Sequence, residues 1–225
     1  MTSPGRSGIR GLPAYVVLDT SASMKPHEEL LNGTLAEIYD TLISSPQVME
    51  FVHLSIITFN TEPHVVIGMT ELDTLRKLPR VHCGGSTNYA PMFNLIRDRI
   101  DIDAPALSAA GVNVLRPVVF LLTDGAPTDI ISVWTEALST LKDPAWRRHP
   151  HIITYGFGNS SETVLRQVST LAAYLAEEPG DNRTALASAL SSLLSSLVTS
   201  AQSRQLQVPE EVEGYRSLPI DYIEC

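Results

Sequence analysis

Two short apolar runs, each stopping at an acidic turn, restrict this chain more than any other feature. Residues 15–18 (Tyr-Val-Val-Leu) and 118–122 (Val-Val-Phe-Leu-Leu) show no polar alternation, so each reads as a strand covered on both faces, as in a parallel sheet. The first delivers Asp19 at its carboxyl end, and the second delivers Thr123 and Asp124. Between the runs the period changes. Residues 28–43 place Leu30, Leu31, Leu35, Ile38, Tyr39, Leu42 and Ile43 three or four apart, a helical stripe that Pro46 is expected to close. Residues 51–59 are β-branched and aromatic, and Glu62-Pro63 turns the chain into a second run at 64–69. That connection is too short for a crossover helix, so the two strands should pair antiparallel.

Further on, the pattern predicts a helix at 89–100 with Pro91 in its first turn, another carrying Val133, Trp134, Leu138 and Leu141, a third at 163–171 and a last one at 184–202. Strands are expected at 152–157 and 172–175, the latter before a turn at Pro179-Gly180. Strands alternating with helices define the fold class as α/β, a doubly wound and mostly parallel sheet with one antiparallel edge strand. One domain over 13–203 is expected, preceded by a flexible N-terminus at 1–12. An acidic, flexible tail is expected at 204–225, because that stretch has no sustained period.

Composition narrows the function. Sixteen basic against twenty-five acidic residues give a net charge of −9, which repels phosphate backbones and anionic lipids, so neither nucleic acid nor membrane is expected as a partner. Apolar stretches fall short of a bilayer span, and the N-terminus falls short of a signal peptide. The two cysteines, Cys83 and Cys225, form no disulfide framework and read as free thiols in a reducing compartment, so a cytoplasmic location is expected.

In an open α/β sheet, ligands settle beyond the carboxyl ends of the strands, where the winding direction reverses. Asp19-Thr20-Ser21-Ala22-Ser23 and Thr123-Asp124-Gly125 both arrive there, and Gly84-Gly85-Ser86-Thr87 places a hydroxyl just ahead of a helix. Carboxylate and hydroxyl oxygens are hard donors, able to fill most of an octahedron around Mg²⁺ at about 2.1 Å. The alternation Asp19, Ser21, Ser23 would aim three oxygens one way in an extended segment. Ser21 or Ser23 can also cap the next helix, and Asp129 can stand as an acid behind the metal ligands but with Thr128 reads rather as a cap for the helix that follows it.

These three segments resemble the von Willebrand factor A (vWA) family. Residues 18–24 match its DxSxS motif, Thr87 after Gly84-Gly85 looks like its single metal-site threonine, and Thr123-Asp124-Gly125 resembles its TDG segment. The likeness runs in motif order over residues 13–201, with Ser86, inserted before Thr87, as the departure. The resemblance implies a metal-ion-dependent adhesion site (MIDAS) formed by Asp19, Ser21, Ser23, Thr87 and Asp124. Such a site would hold Mg²⁺, or Mn²⁺ or Ca²⁺, and bind a protein partner that supplies an Asp or Glu ligand. Within the family the chain is most similar to bacterial tellurite-resistance and stress-type vWA proteins. That likeness implies a non-enzymatic cytoplasmic scaffold with kinase or phosphatase partners.

Other readings have less behind them. A metal-assisted phosphoester hydrolase would need a general base that the motifs do not supply. A structural subunit binding through its sheet edge or tail would make the metal incidental. His82 and Cys83 lack a further ligand at soft-metal spacing, neither GxxxxGK nor GxGxxG occurs, and the serines at 188–196 read as a small-residue helix face.

Overall fold

Even-numbered residues of the first strand face one layer of helices and odd-numbered residues face the other, which is why its apolar run needs no polar alternation. The computed structural model describes residues 9–69, 79–178 and 181–220. In chain order the elements are β1 (Ile9–Asp19), α1 (Glu28–Ile43), α2 (Pro46–Phe51), β2 (Val52–Phe59), β3 (Pro63–Ile67), α3 (Tyr89–Ala109), β4 (Val112–Val114), β5 (Val118–Thr123), α4 (Ile131–Lys142), β6 (His151–Gly156), α5 (Glu162–Val168), β7 (Ala172–Ala176), α6 (Asn182–Ser203) and β8 (Tyr215–Ser217).

The sheet runs β3-β2-β1-β5-β6-β7-β8, with β4 beside the first residues of β1. Leu12, Ala14, Val16 and Leu18 of β1, with Val118, Phe120 and Leu122 of β5, join a core closed by α1, α2 and α6. Tyr15, Val17, Val119 and Leu121 join the opposite core under α3 and α4. The doubly wound, mostly parallel α/β class is therefore the observed one. From β1 the chain winds through α1 and α2 to β2 on one side, and α3 on the other face leads to β5 on the other side. The winding direction thus reverses between β1 and β5, and the crevice lies above them.

Besides shifted element ends, α3 running to Ala109 rather than residue 100 and α5 ending at Val168 among them, and the additional strand β4, four features differ from the sequence reading. Pro46 does not simply end α1; it occupies the first turn of α2, where its missing N–H is no loss, and the strand begins at Val52 rather than at Phe51. β1 begins at Ile9, so residues 9–12 belong to the sheet, while residues 1–8 and the Pro179-Gly180 turn lie outside the described residues. α6 has the length and composition of a membrane span, because its outer face carries serine, threonine and alanine rather than charge. Here Leu186, Leu190, Leu193 and Leu197 are fully buried against the sheet.

The fourth concerns the tail. After α6 ends at Arg204, in a left-handed conformation, the chain folds back: the Gln207 amide donates to Ser200 Oγ at 2.8 Å, and Tyr174 donates to the Pro209 carbonyl. β8 then adds a second antiparallel edge, beside β7, to the one formed by β3. Residues 204–220 are thus part of the packed fold, with Val212, Tyr215 and Leu218 buried; Cys225 lies outside the described residues. The Tyr215 ring stands edge-on to Tyr155 at 6.1 Å, and its hydroxyl donates to the Ala185 carbonyl at 2.9 Å. Tyr215→Ala is expected to cost about 3 kcal/mol of stability, the usual range for truncating a buried aromatic, read from the urea midpoint. An unchanged midpoint would show that this segment does not belong to the core.

Candidate metal centre at the sheet crest

β1 ends at Asp19, whose side chain is buried. The chain turns there: the Ser21 amide donates to Asp19 Oδ1 at 2.8 Å, and residues 22–27 wind into a 3-10 turn. Extended alternation therefore does not bring the three motif side chains together, since the strand has ended before Ser23. The turn does so instead. The Ser21 and Ser23 hydroxyls lie 3.1 Å apart, and Ser23 donates to Asp124 Oδ1 at 2.8 Å across the crevice. Thr123 closes the circuit by donating to Asp19 Oδ2 at 2.6 Å. Ser21 makes no side-chain cap to the turn that follows it, so its hydroxyl stays with the cluster.

The third segment is stitched to the first. Gly84 N–H donates to the Thr20 carbonyl at 2.8 Å, and Ala22 N–H donates to the Gly85 carbonyl at 3.1 Å. Gly85 has φ +80°, and a Cβ there would stand 2.5 Å from the Thr61 hydroxyl, so this position requires glycine. Thr87 follows as a buried residue, its hydroxyl oxygen 3.6 Å from where a Cβ on Gly125 would be, and so beside the residue after Asp124. Ser86 is exposed, with its amide donating to Thr61 Oγ1, so of the two hydroxyl residues Thr87 is the buried one beside the β5 loop.

The loop after β5 is bound to that same segment. Thr87 and Thr128 exchange two hydrogen bonds, Thr128 N–H to the Thr87 carbonyl at 2.9 Å and Thr87 N–H to Thr128 Oγ1 at 3.0 Å. Asp129 does not cap the helix that follows it; Oδ2 accepts from Ala90 N–H at 2.7 Å, capping α3 from outside, and α4 has Ile130 at its N-cap position with no side-chain cap. On the far side, Asn159 N–H donates to the Asp124 carbonyl at 2.8 Å, and Gly158, at φ +59°, leaves that carbonyl room.

Burial dominates the electrostatics. It pushes the Asp19 carboxyl up to about 6, against the lowering effect of hydrogen bonds from Ser21 and Thr123, with the charge of Asp124 adding to the rise. Asp124 is likewise raised by burial, with Ser23 opposing. Among the described residues no basic group contributes to either shift. Two desolvated carboxylates facing each other without a cation are costly, and a divalent ion held by hard oxygens relieves that cost. The donor set therefore fits such an ion. Among the described residues no group of three or more His, Cys, Asp or Glu side chains is drawn together, so the centre stands on two carboxylates and the hydroxyls.

Sequence reasoning passed over Thr123 as a site residue and missed Glu28. Glu28 accepts from the Cys83 amide at 2.9 Å and from Lys25 at 2.6 Å, which hold its carboxyl down at about 2. It pins the start of the glycine loop from 55 residues away, a separation that leaves no local signal. His82 faces the same carboxylate from the surface, and burial raises the Cys83 thiol to about 11, which is no soft-metal ligand pair.

No family model and no curated protein matches the chain. Solved structures do. It is similar to a von Willebrand factor type A protein from Catenulispora acidiphila (12% identity, TM-score 0.57, covering 84% of this chain and 43% of that one). It is also similar to the ArnB paralog VWA2 from Sulfolobus acidocaldarius (18%, 0.54, 85% and 45%). A third is proximal thread matrix protein 1 from the mussel byssus, solved with a zinc-occupied MIDAS motif (15%, 0.57, 84% and 48%). The chain spans less than half of each of these proteins, and the likeness establishes a vWA-type fold.

The Asp19 shift sets a pH dependence. Because the folded value is raised, the ion-free protein keeps this group's stability below the unfolded value near pH 4 and loses it as pH rises through about 6. A divalent ion binds the ionised form, so its stabilisation is expected to be largest above that pH and to fade below it. Melting temperatures with ion and with chelator, compared across this range, check it; a pH-independent difference would exclude the carboxylates as the ion's ligands.

Proposed function

We propose that the crest is a divalent-metal site through which this vWA-type domain grips a protein partner. Asp19, Ser21 and Ser23 are read as the ion's ligands, with Thr87 and Asp124 completing or orienting its shell. The observation that carries this reading is the run of oxygens from Asp19 through Ser21 and Ser23 to Asp124, closed by Thr123 and drawn from separate strands at the switch point. With so few carboxylates the ion keeps positive charge and takes a further oxygen from outside, an Asp or Glu of the partner. Mg²⁺ is our first choice, with Mn²⁺ or Ca²⁺ as alternatives, and the zinc-occupied motif of the mussel protein adds Zn²⁺.

We read the domain as a binding module rather than an enzyme. Among the described residues the hydrogen-bonding groups around Asp19 and Asp124 are hydroxyls and amides, with no histidine or lysine as a base for a hydrolytic water. The finer reading, a cytoplasmic scaffold of a bacterial stress-response or tellurite-resistance type with kinase or phosphatase partners, draws its support from the motif resemblance. The buried free thiol of Cys83 agrees with a reducing compartment.

Calorimetric titration of Mg²⁺ and Mn²⁺ tests the site. Asp19→Ala and Asp124→Ala are expected to weaken binding by more than the roughly 10- to 100-fold that loss of an outer-shell group costs. Partner capture should require the ion and vanish with chelator and in Asp19→Ala. Capture that survives both would refute the metal-bridged mode, and turnover of a phosphoester lost in Asp124→Ala would favour a hydrolase.

A further inference from the structure

Two polar atoms beside the crest are buried and have no hydrogen-bond partner: the Tyr89 hydroxyl and Asp129 Oδ1. Tyr89 is fully buried, and its ring meets Phe59 and Phe93 edge-on at 5.6 Å and Trp134 at 6.1 Å. That cage holds the phenol beside the Thr123 hydroxyl, which opposes the rise that burial first, and the charges of Asp19, Asp129 and Asp124 after it, impose on the phenol, although the two hydroxyls do not reach hydrogen-bond geometry. Thr123 has its own proton committed to Asp19 at 2.6 Å. A phenol without a partner in an aromatic cage is a cost that phenylalanine would avoid while filling the same space. Asp129 is comparable. Oδ2 is used to cap α3, and Oδ1, though able to accept more than one hydrogen bond, accepts none.

Both residues belong to the segments that carry the proposed ligands. Tyr89 opens α3 just after Thr87, and Asp129 follows Thr128, the residue that Thr87 binds through its backbone. Taking the metal reading of the crest as its premise, we infer that Tyr89 and Asp129 are positioning residues for the ion, their free oxygens hydrogen-bonding to water bound to it. An ion held by few carboxylates keeps waters, and the protons of those waters, polarised by the ion, need acceptors of fixed position. Asp129 Oδ1 is such an acceptor, and the Tyr89 hydroxyl can donate as well as accept.

This arrangement gives the hydroxyl opposite effects in the two states: it destabilises the ion-free protein and strengthens ion binding. Mn²⁺ and Mg²⁺ are titrated by calorimetry into the full chain and its Tyr89→Phe and Asp129→Asn variants, and urea unfolding is followed in chelator. In chelator Tyr89→Phe should match or exceed the parent's urea midpoint, while its ion affinity falls by about 10- to 100-fold. Asp129→Asn keeps an oxygen for the Ala90 amide and should lose affinity similarly. Unchanged affinity in both variants overturns the inference and leaves the metal site standing. A lowered midpoint for Tyr89→Phe in chelator also overturns it, because the hydroxyl would then have a partner without the ion. If the parent binds neither ion, the metal reading falls and this inference with it.

Discussion

The crest depends on two carboxylates kept out of water, with no positive side chain among the described residues to offset them. Asp19 ends β1 and Asp124 directly follows the neighbouring β5, and the parallel register that puts Leu18 opposite Leu122 brings both to the same crevice. Burial raises both, and hydroxyl and amide donors only partly oppose it. Such a pair is a poor choice for stability alone, since apolar residues of similar size would fill these positions at less cost. Its presence at the switch point of a doubly wound sheet makes function the simplest account.

The neighbouring loops hold this arrangement through backbone bonds more than through packing. Thr20 donates its amide to Phe59 of β2 and its carbonyl accepts from Gly84, so the β1 loop is fastened to β2 on one side and to the glycine loop on the other. Thr128 and Asp129 fasten the β5 loop to Thr87 and to the first turn of α3. Gly158 and Asn159 support the Asp124 carbonyl from the β6 side. Each oxygen-bearing side chain therefore stands on a backbone anchored by residues distant in sequence, which limits the reorganisation that ion binding would need.

That distribution explains what could be read from the sequence. The apolar runs at 15–18 and 118–122, their acidic ends and the helical stripes are local patterns, and they sufficed for the α/β class and for pointing at Asp19 and Asp124, while the full set of Asp19, Ser21, Ser23, Thr87 and Asp124 rests on the likeness of three short segments to the vWA motifs. What escaped was long-range. Asp129 looked like a cap for its own helix because the sequence shows only neighbours, whereas Ala90, the amide it caps, lies 39 residues away. Glu28 carried no sign that it would hold the Cys83 amide. The tail looked aperiodic, yet single residues of it (Val212, Tyr215 and Leu218) fill places on the sheet, and three residues of strand are too few to show a period. Pro46 reads as a stop in sequence because proline ends one helix and starts another equally well.

The same anchoring bears on how binding would be felt elsewhere in the molecule. An exchange of ligands at the ion could be relayed by a shift of the glycine loop, but Gly85 is wedged against Thr61, and its carbonyl is bonded to Ala22. Moving it would break the Ala22 and Ser86 bonds together and disturb the turn between β2 and β3. The loop after Asp124 is tied to α3 through Thr128 and Asp129, so displacement there pulls on the helix rather than on the loop alone. On the proposed reading, a partner's oxygen would meet loops already fastened to one another, and displacement of the loop after Asp124 would act on α3 through Thr128 and Asp129.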